Sequence, residues 1–382
     1  MNICTRHALF LVFGVSLTPM ASLSAGTEVN ASTLPALKLT APAPRPDFYV
    51  KVDGGSEFFQ PPKKDNSNFS ETTNDGPTDG VNSLGRQSGD DVTWNIGGTF
   101  GYYLPFQPTE AWMGRNPRIE VSGNYFRTSN TQYSNLSVPN GDGASNFVSV
   151  GRLDGDYTGL NSSTDIGGIR GGLDPVAFET LTTKDEFYQA GGAFRSDYIF
   201  SPWRIVMSPK IGFEYSRLNQ DFHTIAGGNR GSVDQTEKVT TDYFGPTFGL
   251  ELKVQLTKVL VGFAEGNVSP FYASSDYSGS QFGQSTQFLG GSGQNSATDS
   301  KNVFGFRGGA TTGFYCDLGP VKLKFGGGFE YWNYVATIQE AALPGGADGI
   351  AGTQPVFKIK PSHLTSNSML NPTVDMTVIL PF

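Results

Sequence analysis

Apolar and polar residues alternate one for one along much of this chain, and the alternation comes in separate runs. The clearest run puts Val92, Trp94, Ile96, Gly98, Phe100, Tyr102, Leu104 and Phe106 on one parity, with Thr93, Asn95, Gly97, Thr99 and Gly101 on the other. Side chains on a strand point alternately to its two faces, so this run predicts a strand with one apolar and one polar face. The same period marks Phe48 to Gly54, Ile119 to Tyr125, Tyr188 to Phe200, Ile205 to Tyr215 and Phe244 to Leu256. Further runs are Phe304 to Cys316, Val321 to Tyr331, and the terminal Val374, Met376, Val378, Leu380 and Phe382. Between Val259 and Val268 the parity is set by Glu265, which sits on the polar face when Leu260, Gly262, Ala264 and Gly266 share the apolar one.

The connections between these ten runs sort by length. Short turns follow the second, fourth, sixth and eighth runs, and long polar stretches such as 128–184 and 269–301 follow the odd ones. A soluble sandwich has no reason to sort its loops in this way. An even number of runs, each near the 9–11 residues that cross a bilayer at a tilt, predicts a membrane barrel with short turns at one end and long loops at the other. Aromatics gather where the runs end: Phe106, Trp112, Phe200, Trp203 and Phe314 near the short turns, and Tyr125, Tyr215, Tyr243, Tyr331 and Trp332 near the long loops. Two such girdles are expected where aromatic rings meet lipid headgroups. The expected fold is therefore all-β: a single transmembrane antiparallel up-and-down β-barrel of about ten strands, within a range of about 8–12.

The first residues change the picture by adding export. Arg6 and His7 precede an apolar core over 8–17, and small residues Ala21, Ser22, Ser24 and Ala25 follow. This reads as a signal peptide over 1–25, too short for a spanning helix. Residues 26–46 hold Pro35, Pro42, Pro44 and Pro46 and read as a flexible periplasmic lead-in, leaving 47–382 for the barrel. Without another apolar stretch of helical length, membrane residence would have to come from the barrel, because only helices and closed barrels satisfy the backbone in lipid. Of the two cysteines, Cys4 leaves with the signal and Cys316 remains, so no internal disulfide is expected. Removing the signal takes one of the 27 Lys and Arg residues and none of the 35 acids, which leaves a charge of −9 and argues against nucleic-acid partners.

The terminal strand, alternating and ending on Phe382, resembles the C-terminal signal of bacterial outer-membrane β-barrel proteins. The resemblance implies residence in the outer membrane of a Gram-negative bacterium, with lipid, lipopolysaccharide and the barrel-assembly machinery as partners. Val374, Met376, Val378, Leu380 and Phe382 would carry the assembly signal. The run Pro209-Lys210-Ile211-Gly212-Phe213-Glu214, with Gly245-Pro246 and Gly249-Leu250, resembles the porin-like major outer-membrane proteins of Legionella-type bacteria. That resemblance implies a narrow, porin-like pore for ions or small solutes. A non-conducting surface barrel whose loops bind ligands, as an adhesin or receptor does, is the competing expectation.

The polar face collects the strand charges: Lys51, Asp53, Glu120, Arg195, Asp197, Lys210, Glu214, Glu251, Lys253, Arg307, Lys322, Lys324, Glu330 and Asp375. A charge facing lipid at midplane costs about 2–4 kcal/mol for Arg or Lys, so these belong in the lumen. Their mixed signs predict internal ion pairs, and pairing Cys316 with Val321 across the turn sets Arg307 opposite Glu330. Two motifs carry possible chemistry. Asp154, Asp156, Thr158 and Asp165 have calcium-loop spacing around Gly159, but with Thr for Asp or Asn, Asp for Glu and no flanking helices, and a solvated Gly/Asp loop is the commoner meaning. Asp221-Phe222-His223 resembles the Asp-x-His pair of omptin-type outer-membrane proteases, which makes such a protease a third reading, though the acids Asp90 and Asp91 are adjacent and no matching active-site segment stands out. No phosphate loop, Cys-x-x-Cys pair or Gly-x-Ser-x-Gly elbow is present, so no enzyme and no cofactor is expected. Deleting Phe382 is expected to lower the amount of surface-exposed protein on whole cells; unchanged surface labelling of the truncated chain would remove the terminal strand's assembly role.

Overall fold

The computed structural model describes residues 47–59, 69–73, 81–83, 91–105, 114–137, 145–149, 153–155, 168–171, 176–200, 205–228, 231–285, 292–340 and 360–382. The expected signal peptide and lead-in, together with Phe106, Trp112 and Trp203, lie outside the described residues. The strands in chain order are β1 (Phe48–Phe59), β2 (Phe69–Thr73), β3 (Val81–Ser83), β4 (Asp91–Tyr103), β5 (Arg115–Ser137), β6 (Ser145–Ser149) and β7 (Gly168–Gly171). They continue with β8 (Val176–Phe200), β9 (Ile205–Gly228), β10 (Gly231–Gln255), β11 (Leu260–Ser285), β12 (Ser292–Asp317), β13 (Lys322–Gln339) and β14 (His363–Pro381).

Ten of these close into a barrel in the order β1-β14-β13-β12-β11-β10-β9-β8-β5-β4, every neighbouring pair antiparallel. The other four form a small sheet, β3-β2-β6-β7, drawn from the β1–β4 and β5–β8 connections. Closure rests on β1 and β14, where Val50 faces Leu380 and Val52 faces Val378. The last residue completes the seam: Phe382 N–H donates to Phe48 O at 2.9 Å, and Phe48 N–H returns a bond to Phe382 O at 3.3 Å. Closure leaves no sheet edge along the seam.

The lower end holds the short turns and the seam. Its outer wall is an apolar belt in which Trp94, Ile96, Phe194, Ile211, Phe213, Phe248, Leu250, Phe314, Val374 and Met376 are all exposed. No Asp, Glu, Lys or Arg takes an outward position on this belt among the described residues. The belt ends on a row of aromatics, one per strand: Tyr125, Tyr188, Tyr215, Phe244, Tyr272 and Phe304. Three pairs of neighbours in this row, Tyr125–Tyr188, Phe244–Tyr272 and Tyr272–Phe304, have ring centroids 5.2 Å apart. Above it the wall turns polar at once. Arg217 grips Asp242 through Nε and Nη2 at 2.7 and 2.8 Å, and Tyr215 OH donates to the same carboxylate at 2.6 Å. The Arg217 guanidinium holds the Asp242 carboxyl below its ordinary value.

Strands β8 to β12 run 24–26 residues, about twice what the sequence pattern predicted. The stretches expected as loops around 176–187, 216–238 and 269–301 are largely strand. Alternation continues there, but in a different alphabet. On β10, Val233, Gln235, Glu237, Val239 and Thr241 are buried while Ser232, Asp234, Thr236 and Lys238 face water. An outer face in water needs no apolar residues, so the apolar count falls while the period persists.

The upper part of β13 behaves unlike its neighbours. Its pairing with β12 stops at Arg307 opposite Trp332, and its register with β14 breaks between Trp332 and Val335. Beyond the break Tyr334, Val335, Ala336, Thr337 and Ile338 are all buried, so both faces of the arm are covered. The arm reaches past β12: Tyr334 OH lies 3.2 Å from the Ser275 hydroxyl on β11, and Gln235 Nε2 on β10 donates to Glu340 at 3.1 Å. The β13–β14 hairpin thus leans into the barrel mouth and fills it.

Two expectations need correction. The eighth turn closes with Asp317 opposite Lys322 and Cys316 opposite Leu323, so the register sits two residues from the one expected and Arg307 faces Trp332, although it still pairs with Glu330 in the lumen at 3.1 Å. Gly319, at φ 88°, makes the tight four-residue turn possible while Leu318 N–H bonds to Val321 O at 3.0 Å. Tyr243 and Trp332, expected in the outer girdle, are buried inside; Phe244 and Tyr331, one residue away, take the outward positions. If the polar stretches are strands, amides of 234–241 and 275–282 should exchange slowly in the detergent-folded protein. Rapid exchange there, as loops show, would refute the extended barrel wall.

Candidate functional site

Everything that faces inward converges on a narrow lumen. In the lower half the strands supply charges in i, i+2 pairs of opposite sign on one face: Lys51 and Asp53 on β1, Arg118 and Glu120 on β5, Arg195 and Asp197 on β8, Glu251 and Lys253 on β10. Neutralisation therefore begins within these four strands, and the closed wall then joins them to the others. Lys51 Nζ meets Glu120 at 3.1 Å, Arg195 meets Glu120 at 3.4 Å, Glu251 at 2.8 Å and Glu265 at 3.0 Å, and Lys324 meets Glu265 at 2.9 Å. The chain Lys51–Glu120–Arg195–Glu265–Lys324 crosses the lumen from β1 to β13. Arg118 joins Asp197 at 3.0 Å, Lys253 joins Glu251 at 2.8 Å, and the hydroxyls of Tyr49 and Tyr315 donate to Glu120 and Glu251.

Higher up, Arg307 is held by Glu214 and by Glu330, the latter at 3.1 Å, while its guanidinium stacks 4.8 Å from the Trp332 ring centroid. Trp332 Nε1 donates to Glu330 at 2.8 Å. Around this Trp the lumen turns apolar. Its ring centroid lies 5.9 Å from Phe187, 5.0 Å from Tyr243 and 6.1 Å from Phe271, and Phe187 stacks on Phe126 at 4.9 Å. β13 and β8 are five strands apart in either direction round a ring of ten, so the Trp332–Phe187 contact spans the barrel's diameter. None of these five side chains is more than 6% exposed. They seal the lumen at the level of the outer aromatic row, beneath the in-folded arm.

Above the seal the interior is packed with polar side chains. Tyr277 OH donates to Glu237 at 2.8 Å, and burial with that carboxylate pushes the Tyr277 hydroxyl well above its ordinary value. Leu153, from the β6–β7 connection, is buried here like a peg. Its N–H bonds to Asn295 Oδ1 at 3.1 Å, and its carbonyl accepts from Ser362 N–H at 2.8 Å.

The sequence-derived charges are placed as follows. Lys51, Asp53, Glu120, Arg195, Asp197, Lys210, Glu214, Glu251, Lys253, Arg307, Lys324, Glu330 and Asp375 take inward positions on their strands. Lys322 shares their parity but sits at the lower rim, 48% exposed and paired with Asp317 at 3.2 Å. Glu265, which sets the parity of its strand, is inward as expected, and Arg118, outside the expected set, shares the inward parity of Glu120. Val374, Met376, Val378 and Leu380 share the outer face of β14. Asp154 lies in the turn after Leu153, while Asp156, Thr158 and Asp165 lie outside the described residues. Asp221 and His223 are on the outer wall, with Phe222 pointing inward between them; His223 Nε2 pairs with Asp234 at 2.8 Å. Period two explains this placement, which takes the Asp-x-His pair away from the barrel mouth that a protease of the omptin type would need.

No protein-family model matches the chain, and no curated protein matches its sequence. Among solved structures it is similar to the outer membrane protease OmpT of Escherichia coli, at 10% identity over 88% of this chain and 96% of that one, with a TM-score of 0.35. The transport unit of the autotransporter AIDA-I from Escherichia coli (8% identity, 90% and 93% covered, TM-score 0.26) and a Pseudomonas aeruginosa FadL homologue (6%, 88% and 90%, 0.22) are also similar. The strand order and the antiparallel registers define the ten-stranded ring.

Removing one member of a buried charge network leaves the others uncompensated. Arg195→Met should cost about 3–5 kcal/mol, because the Glu251 side chain is fully buried and Glu265 loses a partner. Urea unfolding of the barrel in lipid vesicles measures the loss; an unchanged midpoint would mean the network contributes no stability.

Proposed function

We propose that this protein is an outer-membrane β-barrel of a Gram-negative bacterium that works as a sealed, non-enzymatic scaffold presenting its long upper connections to a ligand at the cell surface. Membrane residence is supported by the outer wall. The belt runs from Ile205 to Tyr215 on β9 and from Phe244 to Val254 on β10. Each stretch is about 11 residues, the length that crosses a bilayer at a tilt, and a row of aromatics followed by charges is what a headgroup boundary requires. The terminal strand supports handling by the assembly machinery, and lipid and lipopolysaccharide are the surroundings that such a wall demands.

The observation that carries the sealed reading is the Trp332–Phe187 contact across the barrel's diameter. Eight-stranded barrels are filled by side chains and barrels of sixteen or more strands hold water channels, so ten strands leave a lumen that a few aromatics can close. A porin-like passage is the second reading. It requires the arm of β13 to leave the mouth, and the break between Trp332 and Val335 is where that movement would begin.

Planar-bilayer recording separates the two. The wild-type protein is expected to give no conductance steps while its heat-modifiable gel mobility shows a folded barrel. The double variant Trp332→Ala with Phe187→Ala is expected to conduct. Regular steps from the wild type would sink the scaffold reading and restore the pore.

A further inference from the structure

Below the aromatic seal the lumen is not filled. A cavity of about 320 Å³ lies there, within the range of small-molecule sites. Phe126, Phe187, Leu218, Trp332 and Met369 line its apolar part. Its charged lining comprises Asp53, Glu265, Glu330, Asp375 and Lys324. Two of the acids are neutralised: Glu265 by Arg195 and Lys324, and Glu330 by Arg307. Asp53 and Asp375 have no ion-pair partner among the described residues. Asp53 accepts only the Thr377 hydroxyl, at 2.6 Å.

The wall around these two carboxylates offers them only neutral partners. Asp375 is flanked in register by Gly55 on one side and Gly326 on the other; the Asn95 side chain reaches over Gly55 to hydrogen-bond it, and no cation among the described residues lies in ion-pair contact. Asp53 sits one inward position away on β1, opposite Thr377. A carboxylate removed from bulk water without a counter-charge is costly, and a cation beside it removes that cost. The rest of the lining is uncharged amide, hydroxyl and aromatic surface, which suits an apolar body more than a hydrated ion.

We propose that this cavity binds a small organic cation, its ammonium group on Asp53 and Asp375 and its apolar body under Phe126, Phe187 and Trp332. The site lies beneath the seal and does not depend on whether the barrel conducts.

The test is calorimetric titration of the full-length barrel, folded in nonionic detergent, with phenethylammonium. Saturable one-to-one binding is expected, with no saturable binding of 3-phenylpropionate. The double variant Asp53→Asn with Asp375→Asn should bind phenethylammonium at least 10-fold more weakly while keeping its heat-modifiable mobility. Asp375→Asn alone serves if the double variant does not fold, and should also weaken binding. Equal affinity in the folded variant would mean partition into the micelle and would overturn the proposal. So would equal binding of the two probes, displacement of neither water nor heat by phenethylammonium, or a saturable response to potassium chloride that phenethylammonium does not compete with.

Discussion

The rest of the structure depends on β1 pairing with β14. A sheet of ten strands has two edges whose N–H and C=O groups need partners, and the exchange of hydrogen bonds between Phe48 and Phe382 removes both along the seam. Once the sheet is closed, the two faces of every strand become an inside and an outside. Period two then has a consequence it lacks in an open sheet. Every even-numbered residue from Phe244 to Val254 must share one environment, and every odd-numbered one from Tyr243 to Lys253 must share the other. The apolar belt and the charged lumen are two results of the same closure.

A narrow lumen makes the inward residues one another's solvent. Ten strands bring side chains from opposite walls within reach, so Arg195 on β8 bonds to acids on β10 and β11, and Trp332 touches Phe187 across the diameter. The charges are tolerable because most are answered: four strands carry their own opposite pairs, and Tyr49 and Tyr315 donate to oxygens of Glu120 and Glu251. Above them aromatic packing takes over, because the hairpin of β13 and β14 leaves the wall after Trp332 and brings Val335, Ala336 and Ile338 into the mouth. The barrel is therefore layered inside: an ionic layer, a cavity, an aromatic seal and a polar upper packing.

Much of the fold was legible because alternation is a local signal. Runs such as Val92 to Tyr102 announce a strand and its faces without knowledge of any partner, and the sorting of short and long connections announces an antiparallel ring. The upper halves of β8 to β12 look like loops when only apolar runs are counted, because their outer face is polar and their inner face mixes apolar residues such as Leu181 and Phe222 with Gln, Glu and Thr. Parity alone would have found them. It would also have found Arg118, which shares the inward parity of Glu120.

By itself the sequence determined which residues face in and which face out, since that depends only on odd or even position along a strand. It also determined the even strand count and the end at which Phe382 lies. Only the tertiary structure decided who meets whom inside. A turn displaced by one residue shifted the register by two and moved Arg307 from Glu330 to Trp332, while leaving both in the lumen. A single break after Trp332 turned a presumed girdle residue into the centre of the seal. Contacts across the lumen join strands that are remote in sequence, and their geometry follows from barrel diameter, stagger and one bulge, none of which has a local pattern to read.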